Sequence, residues 1–391
     1  MNNQQRRQAR YERRVRARAE KLEARRKQYS FEAVFSFGHL WKSYKLCCKG
    51  VGWKASTQKF RNKPLSNVTR LYNAIKAQKF RSKGFYEFDR CERGKLRHIK
   101  SVHISERVVQ RCQCDYALIP LFRPTLIYDN AASLKGRGID FAKDRLERQL
   151  RLYYRKYGAK GYALMYDFKS YFENVSHEKL FEIADKIIPD KKILALYKYL
   201  IKMFGEKGIG LGSQVSQISA VKYPDRIDKA ATQKWAVLGY GRYMDDGYII
   251  HNSKIYLRRC LDMLKNECRQ SEIILNAKKT EIVSLSNGMV YLKHRFILTE
   301  TGKVLRIPQK DSYRRHIRKL KSFSRKIEAG EMPLEAAVNS HISWRSHLLR
   351  SHAYKQITNA DKQLGAIIKR NGGILKNGTC VSAPVPGRKR G

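Results

Sequence analysis

The sequence predicts an α+β fold for this chain of 391 residues, and three observations support that prediction. Hydrophobic residues make up 42% and aromatic residues 11%, which is enough to form a large core. Apolar residues follow helical spacing over 107–118 and 178–188. Shorter apolar runs, typical of strands, cover 161–166, 235–243 and 247–251. A chain of this length is expected to fold as two or three subdomains.

The charge balance points to the class of partner. Lysine and arginine total 82 against 34 aspartate and glutamate, so the formal net charge is +48 at pH 7. Such a chain would repel itself unless a polyanion neutralised it, and nucleic acid is the leading candidate. No run approaches the roughly 18 apolar residues of a membrane-spanning helix, and the first residues are charged where a secretory signal would be apolar. We therefore predict a cytoplasmic protein with no membrane partner.

The eight cysteines form no CxxC pair, so the sequence predicts neither a disulfide framework nor a zinc ribbon. Reduced, packed thiols are the expectation. The alternative is a zinc site of Cys112, Cys114 and His103, which lacks a fourth ligand.

The N-terminal part of the chain is basic throughout. Residues 1–30 carry eleven basic residues against three glutamates, with almost no large apolar side chain, which predicts a basic N-terminal arm. This arm is either a solvated or disordered tail or a segment that orders on RNA or on a partner. Residues 31–160 interleave aromatic and basic side chains.

The C-terminal part predicts basic helices followed by a tail. Residues 301–370 carry sixteen basic residues against five acidic ones on helical patterns. We expect Asp311-Ser312 to cap a helix that begins at Tyr313. Residues 371–391 are rich in glycine and proline and are predicted to form a flexible tail.

Three aspartates carry the chemistry that the sequence predicts. Asp245 and Asp246 lie between two apolar runs, and Asp167 ends a third. An isolated aspartate pair is typical of a tight turn, but these flanking runs indicate a hairpin in the core. If the two segments are adjacent strands, the carboxylates converge and repel one another unless divalent cations neutralise them, and hard oxygen ligands suit Mg²⁺. With a basic chain, such a cluster indicates nucleotidyl transfer or nuclease chemistry by two metal ions.

At these residues the sequence resembles the reverse transcriptases. Residues 166–172 (YDFKSYF) resemble the first metal motif of that family, and 240–246 (YGRYMDD) resemble the second. Residues 208–217 resemble the segment between them, and 275–280 the segment after. The resemblance covers most of residues 60–370.

The resemblance implies a right-hand polymerase fold with fingers, a ferredoxin-like palm and a helical thumb. Carried onto this chain, the fingers cover 31–160, the palm with the catalytic aspartates 161–300 and the thumb 301–370.

The resemblance also implies roles for individual residues. Asp167 and Asp245 would hold two Mg²⁺ ions, with Mn²⁺ as an alternative, and Asp246 would lie beside them as the third catalytic carboxylate. Phe172 matches the steric gate that excludes a ribose 2′-hydroxyl; the alternative is an aromatic ring that fills the palm core. The residues implied to bind the deoxynucleotide are Phe168, Phe172, Lys95, Arg97, Gln217 and Lys279. The residues implied to contact template and primer are Gly210, Gly212, Ser216 and Tyr243.

Some of these residues have a second interpretation. Lys95 and Arg97 would grip the triphosphate, or they would touch template phosphates. Lys278 or Lys279 would protonate the leaving pyrophosphate, or either would be a solvated lysine.

The pattern Leu-Gly-x-x-x-Ser-Gln at 211–217 is closer to the enzymes of diversity-generating retroelements and of bacterial antiviral defence than to retroviral or intron enzymes. The resemblance therefore implies a bacterial or phage reverse transcriptase that copies a partner RNA into cDNA. Its expected partners are an RNA template, a DNA or RNA primer, deoxynucleotides, a dedicated non-coding RNA and an accessory protein.

Two other functions remain open on the sequence. The first is a non-catalytic RNA-binding protein that keeps the polymerase fold, which the intact Asp167, Asp245 and Asp246 disfavour. The second is an RNA-templated RNA polymerase, which Phe172 disfavours.

Overall fold

The computed structural model describes residues 3–92, 94–371, 373–376 and 379–382. Serine side chains begin two of the early helices, because the Oγ of Ser30 accepts a hydrogen bond from the Ala33 N–H and that of Ser36 from the His39 N–H. Five helices precede the first strand: α1 (Asn3–Gln28), α2 (Phe31–Val34), α3 (Phe37–Cys48), α4 (Ala55–Asn62) and α5 (Pro64–Lys76).

The predicted basic arm forms one long helix, α1. Its described side chains are exposed along nearly the whole helix. Arg16 and Glu20, one turn apart on α1, form an ion pair of 3.1 Å that stabilises the helix. Because so few apolar side chains lie along it, α1 contributes little to any core.

An antiparallel hairpin and a group of helices follow. The hairpin pairs β1 (Phe85–Glu92) with β2 (Lys95–Val102), so that Arg90 lies opposite Arg97. After it come α6 (Ile104–Gln113), a π-helical turn (Cys114–Leu118), α7 (Ile119–Phe122), a 3₁₀ turn (Arg123–Thr125) and α8 (Ile139–Tyr157).

A four-stranded sheet carries the predicted metal motifs. Its strands are β3 (Tyr162–Asp167), β4 (Gly239–Tyr243), β5 (Asp246–His251) and β6 (Glu281–Ser284), in the order β4-β5-β3-β6. The strand that ends at Asp167 therefore lies beside the strand that begins at Asp246, as the sequence predicts. Between β3 and β4 lie α9 (Tyr171–Asn174), α10 (His177–Asp185), α11 (Lys191–Lys202), α12 (Gln214–Lys222) and α13 (Asp225–Gln233); α14 (Lys254–Gln270) and a 3₁₀ turn (Ala277–Lys279) precede β6.

A second sheet and three helices complete the part after β6. The sheet is antiparallel, with β7 (Met289–Tyr291), β8 (His294–Leu298) and β9 (Val304–Pro308). The helices are α15 (Lys310–Glu328), α16 (Leu334–Ser346) and α17 (Tyr354–Arg370). The expected cap at Asp311-Ser312 is wrong, because α15 begins at Lys310 and Asp311 lies within its first turn. There its negative charge interacts favourably with the positive end of the helix dipole.

Part of the segment predicted as a flexible tail forms a hairpin. β10 (Gly373–Lys376) pairs antiparallel with β11 (Thr379–Ser382), with Lys376 opposite Thr379. The sequence has Asn-Gly at 377–378, a pair typical of two-residue hairpin loops between apolar or β-branched residues. The rest of the tail prediction, for residues 372, 377–378 and 383–391, lies outside the described residues.

The chain divides into two compact units. The first contains the described residues up to Arg145, with Tyr166–Ile249 and Ile255–Glu281; the second contains Leu146–Met165, Ile250–Lys254 and the described residues from Ile282 onward. All three candidate catalytic aspartates belong to the first unit. The boundaries 31–160, 161–300 and 301–370 for fingers, palm and thumb stay a prediction. Among the helices of the described residues, none combines the length and apolarity needed to cross a membrane.

The helices α15, α16 and α17 share a small apolar core, which makes its members sensitive to truncation. Leu320 is fully buried in this core. The other buried members are Ala337, Val338, Leu364, Ile367 and Ile368. We expect Leu320→Ala to lower the free energy of unfolding by about 2–5 kcal/mol, since it removes buried methyl groups and leaves a cavity. Urea unfolding followed by circular dichroism measures this loss. Ile342→Ala, at a side chain that is 45% exposed, serves as the control, and equal losses in both variants would contradict the described packing.

Candidate active site

A tight turn between β4 and β5 presents two of the candidate catalytic carboxylates. β4 ends at Tyr243 and β5 begins at Asp246, so Met244 and Asp245 form the connection. Met244 has φ +55°, a left-handed conformation that is uncommon for a side chain of its size. The N–H of Phe168 donates to the carbonyl of Asp245 at 3.2 Å, which joins the turn to the end of β3.

Asp167, at the end of β3, is almost completely buried and already has two hydrogen-bond donors. Its Oδ1 accepts from the Asn276 side-chain amide at 2.9 Å, and its Oδ2 accepts from Lys279 Nζ at 2.7 Å. The carbonyl of Asp167 also accepts from the Asn276 N–H at 2.8 Å. Residues 275–280, which resemble a family motif, therefore contribute two side chains to this carboxylate. Both candidate lysines are exposed, and Lys279 is the one that contacts Asp167.

The three aspartates influence one another electrostatically. Burial raises the pKa of Asp245, and the charge of Asp167 raises it further. Burial, the charge of Asp245 and the charge of Asp167 raise the pKa of Asp246 to about 7. Burial alone would lower the pKa of Lys279, but its hydrogen bond to Asp167 and the charges of the aspartates raise it instead. The geometry thus brings Asp167, Asp245 and Asp246 together, in a site with one lysine.

The fit of this site to a metal ion rests on the chemistry of its oxygen donors. Within the described residues, no group of three or more histidine, cysteine, aspartate or glutamate side chains is arranged to hold a metal ion as it stands. Both oxygens of Asp167 are engaged by Asn276 and Lys279. Nevertheless, mutually repelling carboxylates are the ligands that a hard divalent cation prefers, because the cation removes the repulsion that raises their pKa. The chemistry of the carboxylates therefore fits a hard divalent cation.

A fully buried ion pair lies directly behind the turn. Arg242 donates from Nε to Oδ1 of Asp228 at 2.7 Å and from Nη2 to Oδ2 at 2.6 Å, with both side chains 0% exposed. The remaining donor, Nη1, binds the carbonyl of Met244 at 2.8 Å. Nη2 also reaches the carbonyl of Val221 at 2.9 Å. Arg242 therefore links α13 and α12 to the left-handed residue of the catalytic turn.

Two tyrosines extend this network into the sheet. Tyr240 donates its hydroxyl to Oδ1 of Asp228 at 2.7 Å, and its oxygen lies 2.8 Å from the hydroxyl of Tyr166. Burial raises the pKa of both phenols, so they remain neutral donors. The sequence analysis missed this network, although a charged residue at 242, within the strand-like run 235–243, is a signal that a buried partner must exist.

The two phenylalanines after Asp167 have different environments. Phe168 is 2% exposed, with its ring packed between Tyr166 and Tyr171, so a nucleotide cannot reach the ring in this structure. The implied role of Phe168 in nucleotide binding stays a prediction. Phe172 is only half-buried and contacts Tyr171 edge to face at 5.7 Å. Its partial exposure favours the steric-gate interpretation over a core filler.

The glycine-rich segment before α12 is explained by local packing. A Cβ at Gly210 would clash with the ring of Phe204, and Gly212 has φ +103°, which a larger residue rarely adopts. Ser216 is fully buried on α12, and its implied contact with template or primer stays a prediction. Gln217, on the next position of α12, is exposed.

The remaining candidates lie on β2 and at the end of β4. Arg97 is exposed on β2, opposite Arg90. The side chain of Lys95 lies outside the described residues, so its implied role stays a prediction. Tyr243 is half-buried, and burial raises its pKa. Cys112 and Cys114 are buried thiols whose pKa values burial raises, and the described residues contain no zinc-binding group around them.

The sequence profile of the reverse transcriptase (RNA-dependent DNA polymerase) family matches residues 92–324, more than half of the chain. The chain belongs to the reverse transcriptase family. Members of this family are RNA-directed DNA polymerases, a class of nucleotidyltransferases, and their domains generally use divalent metal ions. The predicted right-hand polymerase fold is thereby confirmed.

Comparison with other known proteins gives more distant similarities. No curated protein sequence matches the chain significantly. Among solved structures, the chain is similar to apo telomerase from Candida tropicalis truncated from its C-terminal domain, at 16% identity and a TM-score of 0.43, covering 57% of this chain and 54% of that one. It is also similar to apo telomerase from Candida tropicalis, at 14% identity and a TM-score of 0.44, covering 73% of this chain and 58% of that one. A third similar structure is telomerase from Candida albicans in complex with a TWJ fragment of telomeric RNA, at 10% identity and a TM-score of 0.43, covering 74% of this chain and 60% of that one. The chain thus spans less than two thirds of the length of these telomerases.

The Arg242–Asp228 pair generates a stability prediction. Arg242→Met leaves the Asp228 carboxylate buried without its partner, so we expect the free energy of unfolding to fall by about 3–5 kcal/mol. Arg226→Met is the matched control, because Arg226 forms an exposed ion pair with Glu267, and such pairs contribute about 0–1 kcal/mol. Urea unfolding of both variants measures the difference. Losses of the same small size in the two variants would show that the buried pair does not hold the turn.

Proposed function

We propose that this protein is an RNA-directed DNA polymerase that copies an RNA template into cDNA by two-metal nucleotidyl transfer. The observation that carries the proposal is the convergence of Asp167 with the Asp245-Asp246 turn on adjacent strands of one sheet. Membership of the reverse transcriptase family supports the same chemistry.

The aspartates have separate tasks in this proposal. Asp167 and Asp245 would hold the cations, and Asp246 would lie beside them. Two bound Mg²⁺ or Mn²⁺ ions would supply the charge that lowers the pKa of an attacking hydroxyl and stabilises the leaving oxygen of an in-line displacement. Asn276 orients the Asp167 carboxylate through its 2.9 Å hydrogen bond. Lys279 Nζ lies 2.7 Å from the Asp167 carboxylate, which puts a protonated amine beside the metal-binding carboxylates, and we assign it to protonate the leaving pyrophosphate.

The partners follow from charge and chemistry. The net charge of +48 suits a chain that holds an RNA template, a primer and deoxynucleotides. The pattern at 211–217 supports a bacterial or phage enzyme of a retroelement or of antiviral defence, with a dedicated non-coding RNA and an accessory protein as further partners. The proposed location is the cytoplasm.

We expect Asp167→Ala and Asp245→Ala to reduce DNA synthesis by about 10³-fold, because a lost metal ligand removes several kcal/mol of transition-state stabilisation. RNA binding should persist, since each change removes few phosphate contacts. Primer extension on poly(rA)/oligo(dT) with dTTP measures synthesis. Asp262→Ala, at a side chain that is 75% exposed on α14, is the matched control and should retain activity.

The same assay separates the other functions. Full activity in Asp245→Ala would overturn the site assignment. RNA binding by a wild-type protein that makes no DNA would identify a non-catalytic RNA-binding protein. Efficient extension with UTP instead of dTTP would identify an RNA-templated RNA polymerase.

Phe172 generates a prediction about sugar selection. We expect Phe172→Ala and Phe172→Val to admit ribonucleotides, because removal of the half-buried ring makes room for a 2′-hydroxyl. The measurement is the ratio of kcat/KM for dTTP and UTP in wild type and in both variants. If that ratio stays unchanged in both, Phe172 packs the palm and does not select the sugar.

A further inference from the structure

A segment before the family-matched region has an unusual charge distribution. Residues 33–86 contain twelve lysines and arginines and no aspartate or glutamate. The family profile begins only at residue 92, so the segment lies outside the matched region. Like charges in one short segment repel, so their accumulation here needs a physical reason.

The segment is folded, which gives its charges fixed positions. Helices α3 and α4 pack through the rings of Tyr44 and Phe60, whose centroids are 5.4 Å apart. Helices α3 and α5 meet through Phe37 and Tyr72, edge to face at 6.1 Å. The side-chain amide of Asn67 on α5 donates to the carbonyl of Phe60 at 3.0 Å. We call α3, α4, α5 and the loop between α3 and α4 the basic helical surface.

The charges of the basic helical surface are not neutralised internally. In the part of the chain that the structure describes, no salt bridge joins any of its eight cations to a carboxylate within 4.0 Å. Seven of the eight cations are exposed, and Lys54 is half-buried. Without internal partners, such a surface attracts a polyanion and releases its counterions on binding.

Trp53 projects from the loop between α3 and α4. It is 74% exposed, whereas Trp235 is 5% exposed, and Trp41 and Trp344 are half-buried. Lys54 Nζ lies 5.4 Å from the centre of the Trp53 ring. Arg61 reaches the same loop, since its Nη1 lies 3.0 Å from the position that a Cβ at Gly52 would occupy. A large ring exposed to water beside two cations is a platform on which an unpaired base can stack while its phosphates meet the cations.

We infer that the basic helical surface docks a single-stranded RNA segment, with one unpaired base stacked on Trp53 and flanking phosphates bound by Lys54 and Arg61. An acidic protein would also neutralise the lysines, but a nucleic acid strand offers a base to the exposed ring and phosphates to the two cations beside it. The choice of RNA rests on the proposed function. The surface itself is separate from the catalytic aspartates, since none of its residues belongs to that site.

The test measures RNA affinity by fluorescence anisotropy with the full chain. The probes are a labelled RNA hairpin with an eight-nucleotide loop and the same stem closed as a blunt duplex. We expect Trp53→Ala to weaken binding of the looped RNA about 30-fold, the middle of the range for loss of one stacked base. Trp53→Tyr, which keeps an aromatic ring, should restore most of the affinity. Binding of the blunt duplex should change little in either variant.

The variants Lys54→Gln and Arg61→Gln test the proposed phosphate contacts. Each should lower the slope of log affinity against log salt by about one unit, as expected for loss of one phosphate contact. Leu65→Ala is the matched control, because Leu65 is a 60% exposed side chain of the same segment without a ring or a charge. Circular dichroism checks that all variants fold.

The inference is overturned if Trp53→Ala binds the looped RNA as tightly as wild type, or if Leu65→Ala weakens binding equally. Primer extension at saturating template should be unchanged in Trp53→Ala. If wild type makes no DNA but Trp53→Ala still loses RNA affinity, the proposed polymerase function fails while the docking surface stands. If synthesis is normal and RNA affinity does not change, the docking surface fails alone.

Discussion

The ion pair between Arg242 and Asp228 is fully buried, and the candidate active site depends on it. Desolvating two charges is costly, so such a pair persists only when its geometry is good and its other donors are satisfied. Here four donations from Arg242 go to Asp228 and to the carbonyls of Met244 and Val221. Through these hydrogen bonds, Arg242 ties the turn that carries Asp245 and Asp246 to helices α12 and α13, which fixes the position of the turn.

Fixing that turn holds three carboxylates close together, and the repulsion between them has to be relieved by positive charge. Asp245 and Asp246 are held against Asp167, and burial together with their mutual charge raises the pKa values of the first two. Lys279 offsets part of the repulsion, because it donates to Asp167 and its charge lowers the pKa of Asp245 and Asp246. One lysine cannot neutralise three carboxylates. The arrangement therefore suits divalent cations, whose charge relieves the same repulsion and serves nucleotidyl transfer.

Local motifs allowed the sequence to predict the sheet around Asp167 and the Asp245-Asp246 turn, because the apolar runs and the acidic residues at their ends are contiguous. The sequence could not choose between Lys278 and Lys279, since only the direction of each side chain from a 3₁₀ turn decides which one meets Asp167. Ser216 was assigned to nucleic acid, but its hydroxyl lies on the buried face of α12. The partner of Arg242 was missed for a similar reason: Asp228 is on a helix, and only tertiary packing joins it to β4. The sequence analysis predicted a tail at residues 371–391 and overlooked the Asn-Gly pair at 377–378, which is typical of a hairpin loop.

The most direct test of the central claim is the position of the cations in a working complex. Crystals of the protein with an RNA template, a terminated DNA primer, the matching deoxynucleotide and Mn²⁺ would reveal the ions by anomalous scattering. The account predicts two anomalous peaks in contact with the carboxylates of Asp167 and Asp245, with the Arg242–Asp228 pair unchanged behind them. A bound nucleotide with no peak at these carboxylates, and with Asp167 still engaged only by Asn276 and Lys279, would contradict it.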